Sequence, residues 1–308
     1  MHEAGENYVF GGITFCSEIP LPELSPAGLD SASHDSVRIR LEDVSAPWPR
    51  AWPGAVELDP DCFASSGKYL LRIPGLAAYQ VTNGTEIVIN PAPGAEMLDV
   101  RSYLLGTVFM VLCQQRGLLP LHGSAVSGRA GITAFLGRSG QGKSSLAAHL
   151  AQRGFTVVAD DVCLIDPAPP GEVMVTPVAP WLKLWRSSLN HLGRNEHGLE
   201  RVFSEEEKYR VPLPAQAQVQ PIRAVIFLAP ADSSTLVTAV EEISRLEAVP
   251  LLMNLTHQAH LLEATGQRAE SFLRCGRVLS QARAYRLRRP WGLEHLESTV
   301  DAVQQFLA

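Results

Sequence analysis

The chain has 308 residues, 46% hydrophobic and 19% charged, with a formal net charge of −6 at pH 7. This composition is globular and long enough for one large domain or two modest ones, and its acidic balance argues against general affinity for nucleic acid or anionic membrane, though not against a local basic cleft. Cys16, Cys62, Cys113, Cys163 and Cys275 are scattered and odd in number, so they read as reduced thiols of a cytoplasmic protein rather than a disulfide framework or zinc site.

The opening MHEAGENY is polar and acidic and shows no signal peptide. Residues 1–94 read as a β-rich N-terminal region, with short strands at YVFGGITF, VRIRL, KYLLRI, AAYQVTN and TEIVIN. Asn83-Gly84 marks a hairpin turn, because both residues tolerate positive φ. The region contains no ligand-like cluster, and suits either substrate binding or packing on the core.

Residues 95–308 read as an α/β unit. It begins with a long apolar helix closed by Gly117; the run Leu104 to Cys113 is shorter than a bilayer span and fits burial. LPLHGSAVS and GITAFLG follow as strands, then a helix from about Lys143 to Arg153 and the strand FTVVADD. PWLKLWRSSLNHLG predicts a strand leading into a helix, and the charged EHGLERVFSEEEKYR an exposed, mobile segment. IRAVIFLA is a buried strand, TLVTAV a weaker one, residues 243–281 hold two helical stretches, ARAYRLRR is a strand, and an amphipathic helix closes the chain.

GRSGQGKSS, Gly137 to Ser145, matches the P-loop pattern G-x-x-x-x-G-K-[ST] in full, between an apolar strand and a helix. Gly137, Gly140 and Gly142 let backbone N–H groups of the loop, with Ser139, Gln141 and Ser145, turn toward a phosphate chain, and the helix N-terminus adds its positive end. Lys143 is expected to reach the β- and γ-phosphates of ATP and Ser144 to ligate Mg²⁺.

Asp160 and Asp161 follow Lys143 after room for one helix, a turn and a strand. That places them at the carboxyl end of a neighbouring strand, the edge where open α/β sheets bind ligands. One carboxylate suits Mg²⁺ and the other an incoming hydroxyl whose proton it accepts; chemistry leaves the two interchangeable. His122, on the strand before the P-loop strand, is within potential reach of the phosphates, although an isolated histidine among apolar residues is more often structural. Lys183, Arg186, Lys208, Arg210, Arg286, Arg288 and Arg289 form the pool of cations from which the phosphate site would be completed. Lys208 lies in a segment able to close as a loop. Trp181 and Trp185 suit a core or a substrate-facing wall, and His257 and His260 share a helical spacing that lacks a third metal ligand.

Together LHGSAV, GRSGQGKSS and GFTVVADDV resemble the catalytic domain of the HPr kinase/phosphorylase family, whose fold is related to phosphoenolpyruvate carboxykinase. The resemblance covers Leu121 to Asp166 specifically and implies Asp160 as general base, Asp161 and Ser144 at the metal, and His122 as an auxiliary group. Lys183 stands where that family carries an acid, its arginine-rich phosphorylase loop has no match here, and its regulatory domain has none in residues 1–94. YVFGGITFCSEIPLPEL and the late YRLRRP are more similar to the HPr-kinase-like proteins of lasso-peptide and other ribosomal-peptide clusters, some of which phosphorylate a C-terminal serine of a precursor peptide. The expected partner is therefore a peptide or protein serine substrate, with no nucleic acid and no membrane. The hexamers of HPr kinases leave a homo-oligomer open. A small-molecule kinase and a non-catalytic nucleotide sensor are the rival readings.

Overall fold

The computed structural model describes residues 5–27, 36–43, 52, 54–168, 171–178, 180–213, 218–229, 237–256 and 259–307. Cα packing divides the chain into two compact units, Met1–Leu118 with Gln258–Glu270, and Leu119–His257 with Ser271–Ala308.

The first unit is built on eight strands: β1 (Glu6–Phe10), β2 (Ile13–Ser17), β3 (Val37–Leu41), β4 (Val56–Asp59), β5 (Cys62–Ser65), β6 (Lys68–Ile73), β7 (Ala77–Thr82) and β8 (Glu86–Pro91). They form one sheet in the order β1-β2-β3-β8-β7-β6-β5-β4. Alternate residues such as Ala77, Tyr79 and Val81 are buried, as a strand with one apolar face requires. At the β7–β8 hairpin Asn83 and Gly84 have φ of 51° and 67°, and Thr85 N–H donates to Thr82 O at 3.0 Å. The expected helix forms as α1 (Met97–Tyr103), a π-helical turn at Leu104–Val108 and α2 (Phe109–Gln115).

By length and composition Met97–Gln115 would cross a membrane, with a mean hydropathy of 1.2, but 67% of that window is buried inside the protein, as in a core helix. It packs on this unit's own sheet: the Tyr79 hydroxyl donates to Val100 O at 3.0 Å, and the Phe10 and Phe109 rings lie 4.6 Å apart. The compact units thus divide at Leu118/Leu119 rather than at 94/95, because the apolar helix covers the N-terminal sheet. Helix α6 (Ala259–Ala264) also belongs to this unit.

In the second unit β9 (Leu119–Gly128) and β10 (Gly131–Leu136) form a hairpin that leads into the P-loop and helix α3 (Lys143–Gln152). Strands β11 (Thr156–Ala159), β12 (Val162–Asp166) and β13 (Met174–Thr176) follow. β14 (Trp181–Trp185) leads into helix α4 (Arg186–His191). β15 (Glu200–Arg201), β16 (Lys208–Pro212), β17 (Gln220–Leu228) and β18 (Ala239–Glu242) come next. Helices α5 (Arg245–Asn254) and α7 (Arg268–Gln281), strand β19 (Arg283–Arg288) and helix α8 (Leu296–Leu307) complete the chain; α7 straddles the boundary between the units.

The first half of β9 pairs with β12 and the second half with β10 and β11. β17 likewise pairs with β13 at its start and with β10 and β19 beyond. The ladder β9-β12-β13-β17-β10 closes on β9, so most neighbours are antiparallel and only β10–β17–β19 run parallel. β10 and β11 are each antiparallel to β9 and therefore point the same way, which brings their carboxyl ends to one edge.

The charged segment before Val211 is not simply an exposed loop. Val202, Tyr209, Arg210 and Val211 are buried, and Lys208–Pro212 pairs with Trp181–Trp185 in a three-stranded antiparallel sheet β14-β16-β15. The buried apolar positions Tyr209 and Val211 supply the reason, and Lys208 sits on a strand rather than on a closing loop.

Candidate active site

The P-loop takes the conformation its glycines permit. Gly140 and Gly142 have φ of 81° and 73°, the left-handed region that L side chains avoid. A Cβ at Gly142 would also lie 2.6 Å from Arg289 Nη2. The loop is braced from within, since Arg138 N–H donates to Gln141 Oε1 at 2.5 Å. Lys143, at the first turn of α3, is 6% exposed, and its Nζ donates to Gly137 O and Arg138 O, each at 2.8 Å. Burial pulls its ammonium from the ordinary lysine range down to about 8, against the pull of Asp160 and Asp161.

An anionic triphosphate beside Lys143 would restore the full charge. Nucleotide binding at pH 8 is therefore expected to take up about half a proton at this residue. The uptake vanishes below about pH 7, where Lys143 is already charged in both states. Calorimetry in buffers of different ionisation enthalpy measures it.

The acids do not lie within a strand. β11 ends at Ala159 and β12 starts at Val162, so Asp160 and Asp161 form the kink between them, with Asp161 at φ 67°. Aspartate is among the few residues that tolerate this conformation. The kink is held by Val162 N–H to Asp160 O at 2.8 Å. It sends the two side chains to different surroundings. Asp160 is 3% exposed, accepts from the Ser124 hydroxyl at 2.6 Å and from Lys183 N–H at 2.7 Å, and does not line the cleft. Asp161 does line it, with Lys183 Nζ donating to Oδ2 at 2.7 Å and His122 Nδ1 3.6 Å from Oδ1. Burial opposes its charge, but Lys183 and then His122 outweigh that and hold the carboxyl well below the usual carboxylate range.

His122 Nδ1 lies 3.1 Å from Asp161 O. A carbonyl can only accept, so the proton sits on Nδ1. Burial first, then Lys143, pushes this imidazole below its ordinary value, and it is neutral at pH 7.

His122, Ser139, Gly140, Gly142, Lys143, Ser144, Ser145 and Asp161 face one cleft of about 310 Å³, whose other walls include Lys183, Trp185, Lys208, Arg289 and Trp291. Gly137 and Gln141 belong to the loop beneath it, and the Ser145 hydroxyl lies 2.9 Å from that of Ser188 on α4. From the cation pool the cleft gathers Lys183, Lys208 and Arg289. Arg186 instead pairs with Glu207, Arg286 with Glu247 and Arg288 with Glu241. Arg210 is buried beneath the wall, 5.7 Å from the Trp181 ring. Trp181 is buried and Trp185 is 48% exposed with Lys208 Nζ 5.7 Å from its ring, so only Trp185 suits a substrate wall. His260 belongs to α6 of the first unit, and His257 lies outside the described residues.

Ser124 and Trp291 were not singled out by sequence. Ser124 stands two residues after His122 on β9, and that spacing was its only signal. For Trp291 there was none.

Among the described residues no group of three or more His, Cys, Asp or Glu could hold a metal ion. The oxygen donors in the cleft, Asp161 and Ser144, suit a hard cation such as Mg²⁺ that takes its remaining ligands from phosphates and water.

No family model matches this chain, and no curated protein matches it. Among solved structures, the HPr(Ser) kinase/phosphatase from Coxiella burnetii is similar at 13% identity and a TM-score of 0.32, over 61% of this chain and 95% of that one. A likeness at this level decides neither fold nor function. The residues of the cleft carry the chemistry.

Proposed function

We propose that the protein is an ATP- and Mg²⁺-dependent kinase that transfers the γ-phosphate to a serine-type hydroxyl of a peptide or protein. One observation carries this reading: the complete P-loop and Asp161 of the Asp-Asp kink line one cleft, together with Lys183, Lys208 and Arg289. A binding-only site needs the P-loop but gives no reason to hold two carboxylates beside it, where they repel phosphate.

In this reading the loop N–H groups and Lys143 bind the β- and γ-phosphates. Asp161 and Ser144 would hold Mg²⁺, which would neutralise charge on the phosphates. Lys183, Lys208 and Arg289 face the charge spread over the transferred group. The resemblance to HPr kinases makes Asp160 the acceptor of the hydroxyl proton, with Asp161, which lines the cleft, as the rival base. Each Asp160 oxygen keeps a second lone pair beside the donors from Ser124 and Lys183, so the carboxylate remains able to accept one. His122 faces the same cleft from β9 as an auxiliary group.

The resemblance of LHGSAV, GRSGQGKSS and GFTVVADDV to HPr kinases, and of YVFGGITFCSEIPLPEL and YRLRRP to the ribosomal-peptide group, supports a precursor peptide with a C-terminal serine as acceptor. Incubation with ATP and such a peptide is expected to add 80 Da, about the mass of one phosphoryl group, to its C-terminal residue, read by tandem mass spectrometry. Label from γ-phosphate that enters only small metabolites removes the peptide assignment. ATP binding with no acceptor-dependent ADP release removes the kinase.

A further inference from the structure

Arg289 follows β19 and turns back onto the P-loop. Its Nη2 donates to Gln141 O at 2.7 Å, and its guanidinium covers Gly142 so closely that no Cβ fits between them. The side chain lines the cleft, and among the described residues no carboxylate pairs with it. Burial pushes its guanidinium below its ordinary value. A half-buried guanidinium held without an acid against the P-loop is placed to take an anion.

Two residues on, Trp291 is 55% exposed yet faces the same cleft, next to Gly292, Leu293 and Leu296. Packing gives no reason for an indole there. The cleft's other exposed tryptophan, Trp185, shares β14 with Lys183 and thus stands on the side of Asp161, where the acceptor must reach the transferred phosphate. Lys208 already lies against its ring. The Trp291 wall joins the P-loop at Gln141–Gly142 instead.

We propose that residues 289–293 form the second wall of the nucleotide site, with Arg289 binding phosphate oxygens and Trp291 stacking on the nucleobase over the apolar patch of Leu293 and Leu296. This rests on the nucleotide-binding part of the reading above and adds the subsite that holds the base. Base–aromatic stacking is sequence-tolerant, so the wall takes a nucleoside triphosphate without selecting its base.

The test uses the full chain with two ligands, ATP and inorganic tripolyphosphate, each with Mg²⁺ and followed by calorimetry. Trp291→Ala is expected to weaken ATP about tenfold and to leave tripolyphosphate unchanged. Arg289→Gln keeps a donor for Gln141 O and is expected to weaken both ligands about 10- to 100-fold, with Arg289→Lys intermediate because it keeps the charge but loses the fork. Thermal melts at the wild-type midpoint exclude a folding loss. ATP affinity unchanged in Trp291→Ala, or a rise confined to the KM of the peptide, overturns the base assignment. Equal binding of both ligands by Arg289→Gln and wild type overturns the phosphate assignment. The expected binding pattern without any phosphate transfer upholds the wall and removes the kinase.

Discussion

Lys143→Ala is expected to lose nucleotide binding and turnover together. The ammonium is buried at the first turn of α3, and the loop carbonyls of Gly137 and Arg138 hold it in the cleft. Charge-assisted contacts to two phosphates are worth about 1.5–3 kcal/mol each, so ATP is expected to bind on the order of a thousandfold more weakly. Transfer falls further, since the same charge faces the phosphoryl group as it departs. Calorimetry and steady-state rates measure the two losses separately. Wild-type affinity in this variant would mean that the loop does not hold phosphate, and the kinase reading would fall with it.

The two aspartates are expected to separate in the opposite sense. Asp160→Asn should keep ATP affinity within about threefold while transfer drops by about 10³ or more, the loss that follows removal of a general base. The amide preserves the volume between Ser124 and Lys183. It accepts at one oxygen only, so a modest loss of stability, about 1–2 kcal/mol, accompanies the change. Asp161→Asn should instead raise the Mg²⁺ requirement, with part of the rate recovered at high metal. The measurements are kcat against Mg²⁺ concentration for both variants, with ATP binding alongside. The geometry makes this contest real: Asp161 faces the cleft and Asp160 lies behind it. Were Asp161→Asn dead at every metal concentration and Asp160→Asn active, the roles would be exchanged.

Local patterns were legible wherever the chemistry is local. The Asn83-Gly84 turn, the strand before the P-loop, the helix after it and the Gly154 stop all follow from neighbours within a few residues, and the structure has them. GRSGQGKSS carries its own backbone requirements, and Gly140 and Gly142 take the left-handed φ it demands. Less legible was the stretch FTVVADD. The acids follow the strand's last residue, Ala159, as expected, but the left-handed Asp161 that turns the chain into a second strand was not visible. Apolar periodicity reports burial and is silent on φ. The segment EHGLERVFSEEEKYR shows the same limit, because its charge density masked the strand from Lys208 to Pro212, whose partner β14 lies 23 or more residues earlier for every pair at the cleft end.

Residue order alone thus carried the loop motif GRSGQGKSS, a pair of acids one helix and one strand away, and a histidine on the preceding strand. Each is a short motif whose geometry is set by adjacent residues. Folding alone settled which acid faces the cleft, that Lys183 holds both of them, and that Arg289 reaches the loop, and Trp291 the same cleft, from about 150 residues downstream. Those choices depend on the pairing of β14 with β16 and of β17 with β19. Strand pairing over such separations is set by the packing of the whole core, which no window of sequence contains.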